Sequence, residues 1–278
     1  PVWDDTDDTL VFVDIVDQLV HRFDPATGDD TSWSTPSTIG AVGLCSDGGF
    51  VLALVDGFAL CGPGGEDLRP IPGFRTDRSV VRFNDGMVDP WGGFVAGTMD
   101  WKYVEPLGSL YRLDPHGQVD VLFRGCTISN GLCWSANRRR FYYVDTPTQR
   151  IDVFDADPES GALSGRRALV EIDKSVHGRP DGMTIDVDGC LWVACYDGGR
   201  VLRVTPRGVI DAVVDVPTSC ASSVTWGGSA LDQLYITTGR VDLTPEQLAS
   251  EPHAGDLFVV EPGTSGMPAD RYSRPVGT

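Results

Sequence analysis

The stretch PVWDDTDDTLVFVDIVDQLVHRFD (residues 1–24) lies without a gap over LCWSANRRRFYYVDTPTQRIDVFD (132–155), residue for residue at a constant offset of 131. Trp3 falls on Trp134, Val13 on Val144, Asp14 on Asp145, Gln18 on Gln149, Phe23 on Phe154 and Asp24 on Asp155, and apolar positions agree between these identities. Similarity held at a fixed period is the mark of a fold made by repeating one unit. Each copy reads as a short strand, a polar turn, a β-branched or aromatic strand, another turn, and a third strand ending in Asp. That pattern is an antiparallel meander.

Four further strand cores have the same character: FVLALVDG from Phe50, GFVAGTMD from Gly93, CLWVACYD from Cys190 and QLYITTGR from Gln233. With the two repeat copies they make six. Between them stand SDGG, DPWGG, DPHG, DVDG and TPRG, in which Gly supplies positive φ and Pro presets φ for tight reversals. Helix signals are sparse. Only TPEQLASE (244–251) pairs an N-cap with good helix formers, and it reads as one short helix in a loop. The 33 Gly and 19 Pro would break long helices repeatedly. Six four-stranded units of about 40–50 residues predict an all-β chain folded as a six-bladed β-propeller, ahead of a β-sandwich, which would show fewer and less regular repeats. With no composition shift or linker, residues 1–278 read as a single propeller domain.

Charge narrows the function classes. Lys and Arg total 22 against 40 Asp and Glu, a net charge of -18 that repels nucleic acid and anionic membrane surfaces while attracting divalent cations. No apolar run approaches the roughly 20 residues of a membrane span, and the opening residues lack the basic and apolar regions of a secretory signal. Seven cysteines, odd in number and without a C-x-x-C pair, predict neither a disulfide framework nor a zinc knuckle, and fit a reducing cytoplasm.

The chemistry is carried by a motif that recurs three times: FNDGMVDP (83–90), ISNGLCWS (128–135) and RPDGMTID (179–186). Gly86, Gly131 and Gly182 are 45 and 51 residues apart, about one blade each. A lone Asx-Gly is ordinarily a turn, with Asx bonding nearby backbone and Gly left-handed. Three in blade register instead predict one oxygen-bearing side chain per blade at equivalent inner-strand positions around the central channel. The candidates are Asp85 or its neighbour Asn84, Asn130, and Asp181. Asp and Asn oxygens without His or Cys suit a hard cation such as Ca²⁺, Mg²⁺ or Mn²⁺ better than a structural Zn²⁺. By the offset of 131, the position equivalent to Asn130 would fall two places before Pro1.

The runs RFNDGMVDPWGGFVAGTMD, ISNGLCWS with FYYVDT, PDGMTIDVDGCLWVACYDGGRV and the opening PVWD with LVFVDI together resemble the regucalcin and gluconolactonase family, also called senescence-marker-protein-like. The resemblance covers essentially the whole chain. It implies a six-bladed propeller with one divalent cation, Ca²⁺ foremost and Zn²⁺, Mn²⁺ or Mg²⁺ as other ions, and hydrolysis of a small-molecule sugar lactone. Carried over by motif, Asn130 and Asp181 resemble metal ligands, and Arg82 and Asn84 resemble substrate-contacting residues. The family's remaining ligand is a Glu in a Glu-Gly-Pro or Glu-Ser-Pro opening, which would fall at that same position two places before Pro1. Lys102, after GTMD, stands in a loop where animal relatives carry an acidic residue near the substrate. It is a further substrate-contact candidate and a reason not to copy their preference.

Lactone hydrolysis requires a polarised carbonyl and a water made nucleophilic. Asp181 is the candidate general base, with a second candidacy as ligand, while Arg82 and Asn84 would position the sugar hydroxyls. Two other classes stay open on sequence: a calcium-binding propeller without turnover, since fold does not fix function, and a calcium-dependent aryl-ester or phosphotriester hydrolase. A serine hydrolase is disfavoured by the lack of G-x-S-x-G. GPGGED (62–67) lacks the Gly-Lys-Ser/Thr ending of a phosphate loop and reads as a turn.

Overall fold

The computed structural model describes residues 1–274 of the chain and divides it into two compact units, Pro1–Asn130 with Pro268–Thr278, and Gly131–Met267. The first unit holds three four-stranded antiparallel sheets. One comprises β1 (Val2–Asp4), β2 (Thr9–Asp14), β3 (Leu19–Asp24) and β4 (Asp29–Ser34); the next β5 (Ile39–Leu44), β6 (Phe50–Leu54), β7 (Gly57–Cys61) and β8 (Arg69–Pro70); the third β9 (Val81–Val88), β10 (Phe94–Asp100), β11 (Gly108–Leu113) and β12 (Val119–Cys126). In each, consecutive strands pair with their chain neighbours, which is the meander predicted from the sequence.

The second unit opens within β13 (Ser129–Trp134), which pairs on to β14 (Arg140–Asp145), β15 (Arg150–Ala156) and β16 (Leu163–Glu171). Then come β17 (Arg179–Ile185), β18 (Leu191–Tyr196), β19 (Arg200–Val204) and β20 (Ile210–Asp215), and a last sheet of β21 (Ala221–Gly227), β22 (Gln233–Thr238) and β23 (Phe258–Val260). Among the described residues this sixth sheet has three strands where four were expected. The chain that follows β23 spends its hydrogen bonds elsewhere: Val187 N–H donates to Ser265 O, and Gly266 N–H to Leu231 O. Six small meandering sheets make the chain all-β, of the six-bladed β-propeller class.

The sequence repeat is a repeat of structure. Strands β14 and β15 begin at Arg140 and Arg150, each 131 residues after the starts of β2 and β3 at Thr9 and Leu19. Registers coincide too: Leu10 faces Phe23 and Val13 faces Val20 in one unit, while Phe141 faces Phe154 and Val144 faces Ile151 in the other. Even the hairpin exits agree, with Gln18 at φ 56° and Gln149 at φ 54°, a left-handed conformation uncommon for a residue with a Cβ.

Burial is concentrated in the inner strands: every residue of β5, β6, β7 and β10 is buried. In the first unit, Phe58 of β7 meets Phe83 of β9 and Phe94 of β10 at ring separations of 5.0 and 5.9 Å. In the second, Trp192 of β18 packs edge-on against Trp226 of β21 at 5.6 Å. Aromatic pairs of this geometry add about 0.5–1.5 kcal/mol beyond their area. All seven cysteines are buried and free. Each anticipated turn places one Gly at positive φ: Gly48, Gly92, Gly117, Gly189 and Gly208. The anticipated helix is α2 (Pro245–Ser250), capped by Thr244 and Gln247 in a reciprocal capping box. One further turn, α1 (Lys174–His177), is capped by Asp173. Among the described residues no helix is long and apolar enough to cross a membrane.

Candidate functional site

The three Asx-Gly motifs are not turns. Asp85-Gly86 lies within β9, Asn130-Gly131 within β13 and Asp181-Gly182 within β17, and none of the three glycines has positive φ. What demands Gly is crowding from a neighbouring strand. A Cβ on Gly131 would stand 2.4 Å from Asp181 O, and one on Gly182 would stand 2.1 Å from Ser223 Oγ. A Cβ on Gly86 would be 2.8 Å from Val95 O. All three distances are closer than real Cβ contacts allow; at Gly131 and Gly182 the crowding comes from the first strand of the next sheet, and at Gly86 from β10 of its own sheet.

Two of these first strands, β9 and β17, carry a β-bulge that falls on a candidate residue. In β9, Asp85 pairs with Gly97 and Phe83 with Thr98, leaving Asn84 as the extra residue. In β17, Pro180 pairs with Cys195 and Met183 with Val193, which sets Asp181 and Gly182 against one residue. Gly40 in β5 and Ser222 in β21 are likewise unpaired extras. A bulge interrupts the ladder and re-aims a side chain, the reason bulges gather beside functional sites. The register therefore selects Asn84, not Asp85, as the counterpart of Asp181. Aligning on the glycines hides this, because Gly182 to Asp186 is one residue longer than Gly86 to Asp89.

The end of the strand away from the bulge is locked by an Asp. Asp89, after β9, accepts from the N–H groups of Trp91 and Gly93, both at 2.9 Å, and from Arg112 of β11. Asp186, after β17, accepts from Cys190 N–H at 2.8 Å, from Trp192 Nε1 at 3.0 Å and from Arg203 of β19. Both are fully buried. Charge-assisted bonds of this kind fix where the first strand ends and so steady the register behind its bulge.

In the first unit the structure brings Arg82, Asn84 and Asn130's strand together. Arg82 is 7% exposed, and its Nη1 donates to Phe83 O at 2.9 Å and to Asn84 Oδ1 at 2.8 Å. Asn84 Nδ2 in turn donates to Ser129 O at 2.9 Å, immediately before Asn130, which is buried. These bonds fix the amide's orientation. The neighbouring Asp85 keeps some contact with solvent, and desolvation pushes its carboxyl up to about 6.

Lys102 is an exposed loop residue. Its loop is nonetheless well anchored and reaches the same place. Asp100 accepts from the N–H groups of Lys102, Val104 and Glu105 at 3.1, 3.2 and 3.0 Å, bonds that hold its carboxyl below the ordinary carboxylate range, with Glu105 contributing most. Trp101, pinned by its Nε1 bond to Arg78 O at 3.0 Å, sits with its ring 5.7 Å from the Arg82 guanidinium. Sequence reasoning missed Trp101, since nothing in one strand-end tryptophan announces the buried arginine beneath it.

In the second unit, Asp181 keeps partial solvent contact. Thr146 Oγ1 donates to Pro180 O at 2.8 Å, tying the end of β14 to the strand just before the bulge. Cys195, opposite Pro180, has its thiol pushed up to about 12 by burial and, secondarily, by the Asp181 charge. Among the described residues no three His, Cys, Asp or Glu side chains gather as a cation site. The expected donors are of another composition, one amide and one carboxylate. Their oxygens match a hard cation and not a thiolate or imidazole metal.

An all-β, six-bladed propeller, with bulges at Asn84 and Asp181 in two of its first strands, defines the structural class. The comparisons with known proteins supply the family. The profile described as SMP-30/gluconolactonase/LRE-like region matches residues 1–240. Regucalcin of Danio rerio is 38% identical over 277 residues, spanning 98% of this chain and 93% of the relative. Among solved structures, a luciferin-regenerating enzyme superposes with a TM-score of 0.90 at 30% identity over 98% of this chain and 93% of that one. A regucalcin of Agrobacterium tumefaciens, described as a calcium-binding protein, gives 0.92 at 26% identity over 98% and 92%. The chain belongs to the SMP-30/gluconolactonase/LRE-like family.

Proposed function

We propose that this protein is a metal-dependent lactonase that opens a sugar lactone to the aldonic acid, acting as a single domain over its whole length. The observation that most supports the reading is the coincidence, within a family named for gluconolactonase, of strand bulges with the residues expected to do the work: Asn84 in one unit, Asp181 in the other. Asn130 and Asp181 would hold one divalent cation, Ca²⁺ first among the alternatives given the calcium-binding description of the Agrobacterium relative. When bound, such a cation supplies Lewis acidity toward the lactone carbonyl.

The remaining work falls to the chain's own groups. The Arg82–Asn84–Ser129 hydrogen-bond chain fixes a donor-rich surface for sugar hydroxyls, held in place before substrate arrives. Trp101 narrows that surface from above, and Lys102 supplies a charge at its rim. Asp181, aimed off its sheet by the bulge and in contact with water, takes the proton as water attacks the carbonyl carbon.

The test is hydrolysis of glucono-, galactono-, xylono- and arabinonolactone by the full chain, with and without added divalent cations. Cation-stimulated turnover of at least one lactone is expected. Tight Ca²⁺ binding without any turnover would assign the chain to calcium binding alone, and faster hydrolysis of an aryl ester than of every lactone would assign it to ester hydrolysis.

A further inference from the structure

The bulge that marks Asn84 and Asp181 also marks a residue with no Asx-Gly signature. In β21, Ala221 pairs with Thr238 and Ser223 with Thr237, so Ser222 is the extra residue of its strand. It stands beside Asp181. Gly182 leaves no space for a Cβ against Ser223, at 2.1 Å from its Oγ and 2.9 Å from its Cα, so β17 and β21 abut one residue beyond Asp181 and Ser222. Both Ser222 and its partner Thr237 keep partial contact with solvent.

The hydrogen bonds give this pair a polarity. Thr237 Oγ1 donates to Ser223 O at 3.3 Å, and the oxygens of Ser222 and Thr237 are 3.0 Å apart. A hydroxyl has one proton. With the Thr237 proton committed to a carbonyl, Ser222 donates to Thr237 and keeps its own lone pairs for an incoming donor. A single neutral hydroxyl oxygen is a weak cation ligand and a good acceptor for another hydroxyl.

We infer that Ser222, oriented by Thr237, forms a subsite that accepts a hydrogen bond from a ring hydroxyl of a polyhydroxylated ligand and so discriminates sugar lactones from plain ones. The identity of that ligand rests on the lactonase reading; the subsite itself rests on the bulge and the hydroxyl pair. In Ser222→Ala, KM for glucono-δ-lactone is expected to rise about tenfold, the effect of one lost hydrogen bond to a neutral group, with the loss falling on KM rather than kcat. KM for δ-valerolactone, which has no ring hydroxyl, and the Ca²⁺ affinity measured by calorimetry stay as in the wild type. Ser222→Thr, which keeps the hydroxyl, restores glucono-δ-lactone binding, and Thr237→Val, which frees the Ser222 proton, gives a smaller rise in KM. Equal losses on both lactones, no loss, or a fall in Ca²⁺ affinity would overturn the inference. Should the wild type hydrolyse no lactone, the lactonase reading fails and binding of 1,5-anhydroglucitol, a ring polyol without a carbonyl, decides the subsite. Binding by the wild type that Ser222→Ala weakens about tenfold upholds it; no binding, or equal binding by both, ends it.

Discussion

At Gly131 the side chain is a hydrogen because the backbone of Asp181 leaves nothing else room, with the missing Cβ only 2.4 Å from a carbonyl oxygen. Backbone yields less readily than a flexible side chain, so Gly131→Ala is expected to destabilise by about 1–3 kcal/mol, as overpacking does, and to lower the urea midpoint. An unchanged midpoint would show that the strands can part without cost. As candidates, Asn130 and Asp181 come from motif and spacing, whereas Arg82 and Asn84 come from the family resemblance. Their local conformation was not legible, since Asx-Gly is a turn signature and only tertiary crowding explains it as strand. Nor could spacing choose between Asn84 and Asp85. That choice depends on which residue leaves the ladder, a matter of pairing with Gly97 and Thr98 that sequence does not display. Ser222 was invisible for the same reason, having the bulge without the motif.

The bulged strand β9 and the loop after β10 carry the residues proposed to contact substrate, and they are stabilised differently. Strand β9 is fixed at one end by the buried Asp89–Arg112 pair, and the loop after β10 by three N–H bonds to the Asp100 carboxylate. Because those bonds lower the folded-state pKa of Asp100, its contribution is present above the unfolded carboxylate pKa of about 3.9 and is lost as pH falls through the lower folded value. Asp100→Asn is therefore expected to melt below the wild type at pH 7, with the gap closing toward pH 3. A gap constant between pH 7 and pH 3 would mean that the charge has no part in holding the loop. The turns, the capped helix at Pro245–Ser250 and the order of strands followed from local chemistry. The loss of the sixth sheet's fourth strand did not, because it depends on what Ser265 and Gly266 find to bond with far along the chain.

Across the whole molecule the period of 131 residues reappears as two units with matching strand starts and hairpin registers, so the count of six sheets was readable before any coordinate. Burial is equally systematic. The thiols of Cys45, Cys61 and Cys195 are pushed up to about 11, about 12 and about 12 by desolvation, and all seven cysteines lie in the interior. The native protein at pH 8 is expected to leave an aromatic disulfide reagent unreacted over minutes and to titrate fully once unfolded in guanidinium. Rapid reaction of one thiol in the native state would show an opening that the packed sheets do not predict. Asn130 of β13 and Asp181 of the bulged strand β17 are proposed to hold a single divalent cation. Calorimetric titration of Ca²⁺ into the metal-free full chain tests this most directly. One equivalent bound by the wild type, with affinity at least 100-fold weaker in both Asn130→Ala and Asp181→Ala, is the predicted result; binding that either substitution leaves untouched would contradict it.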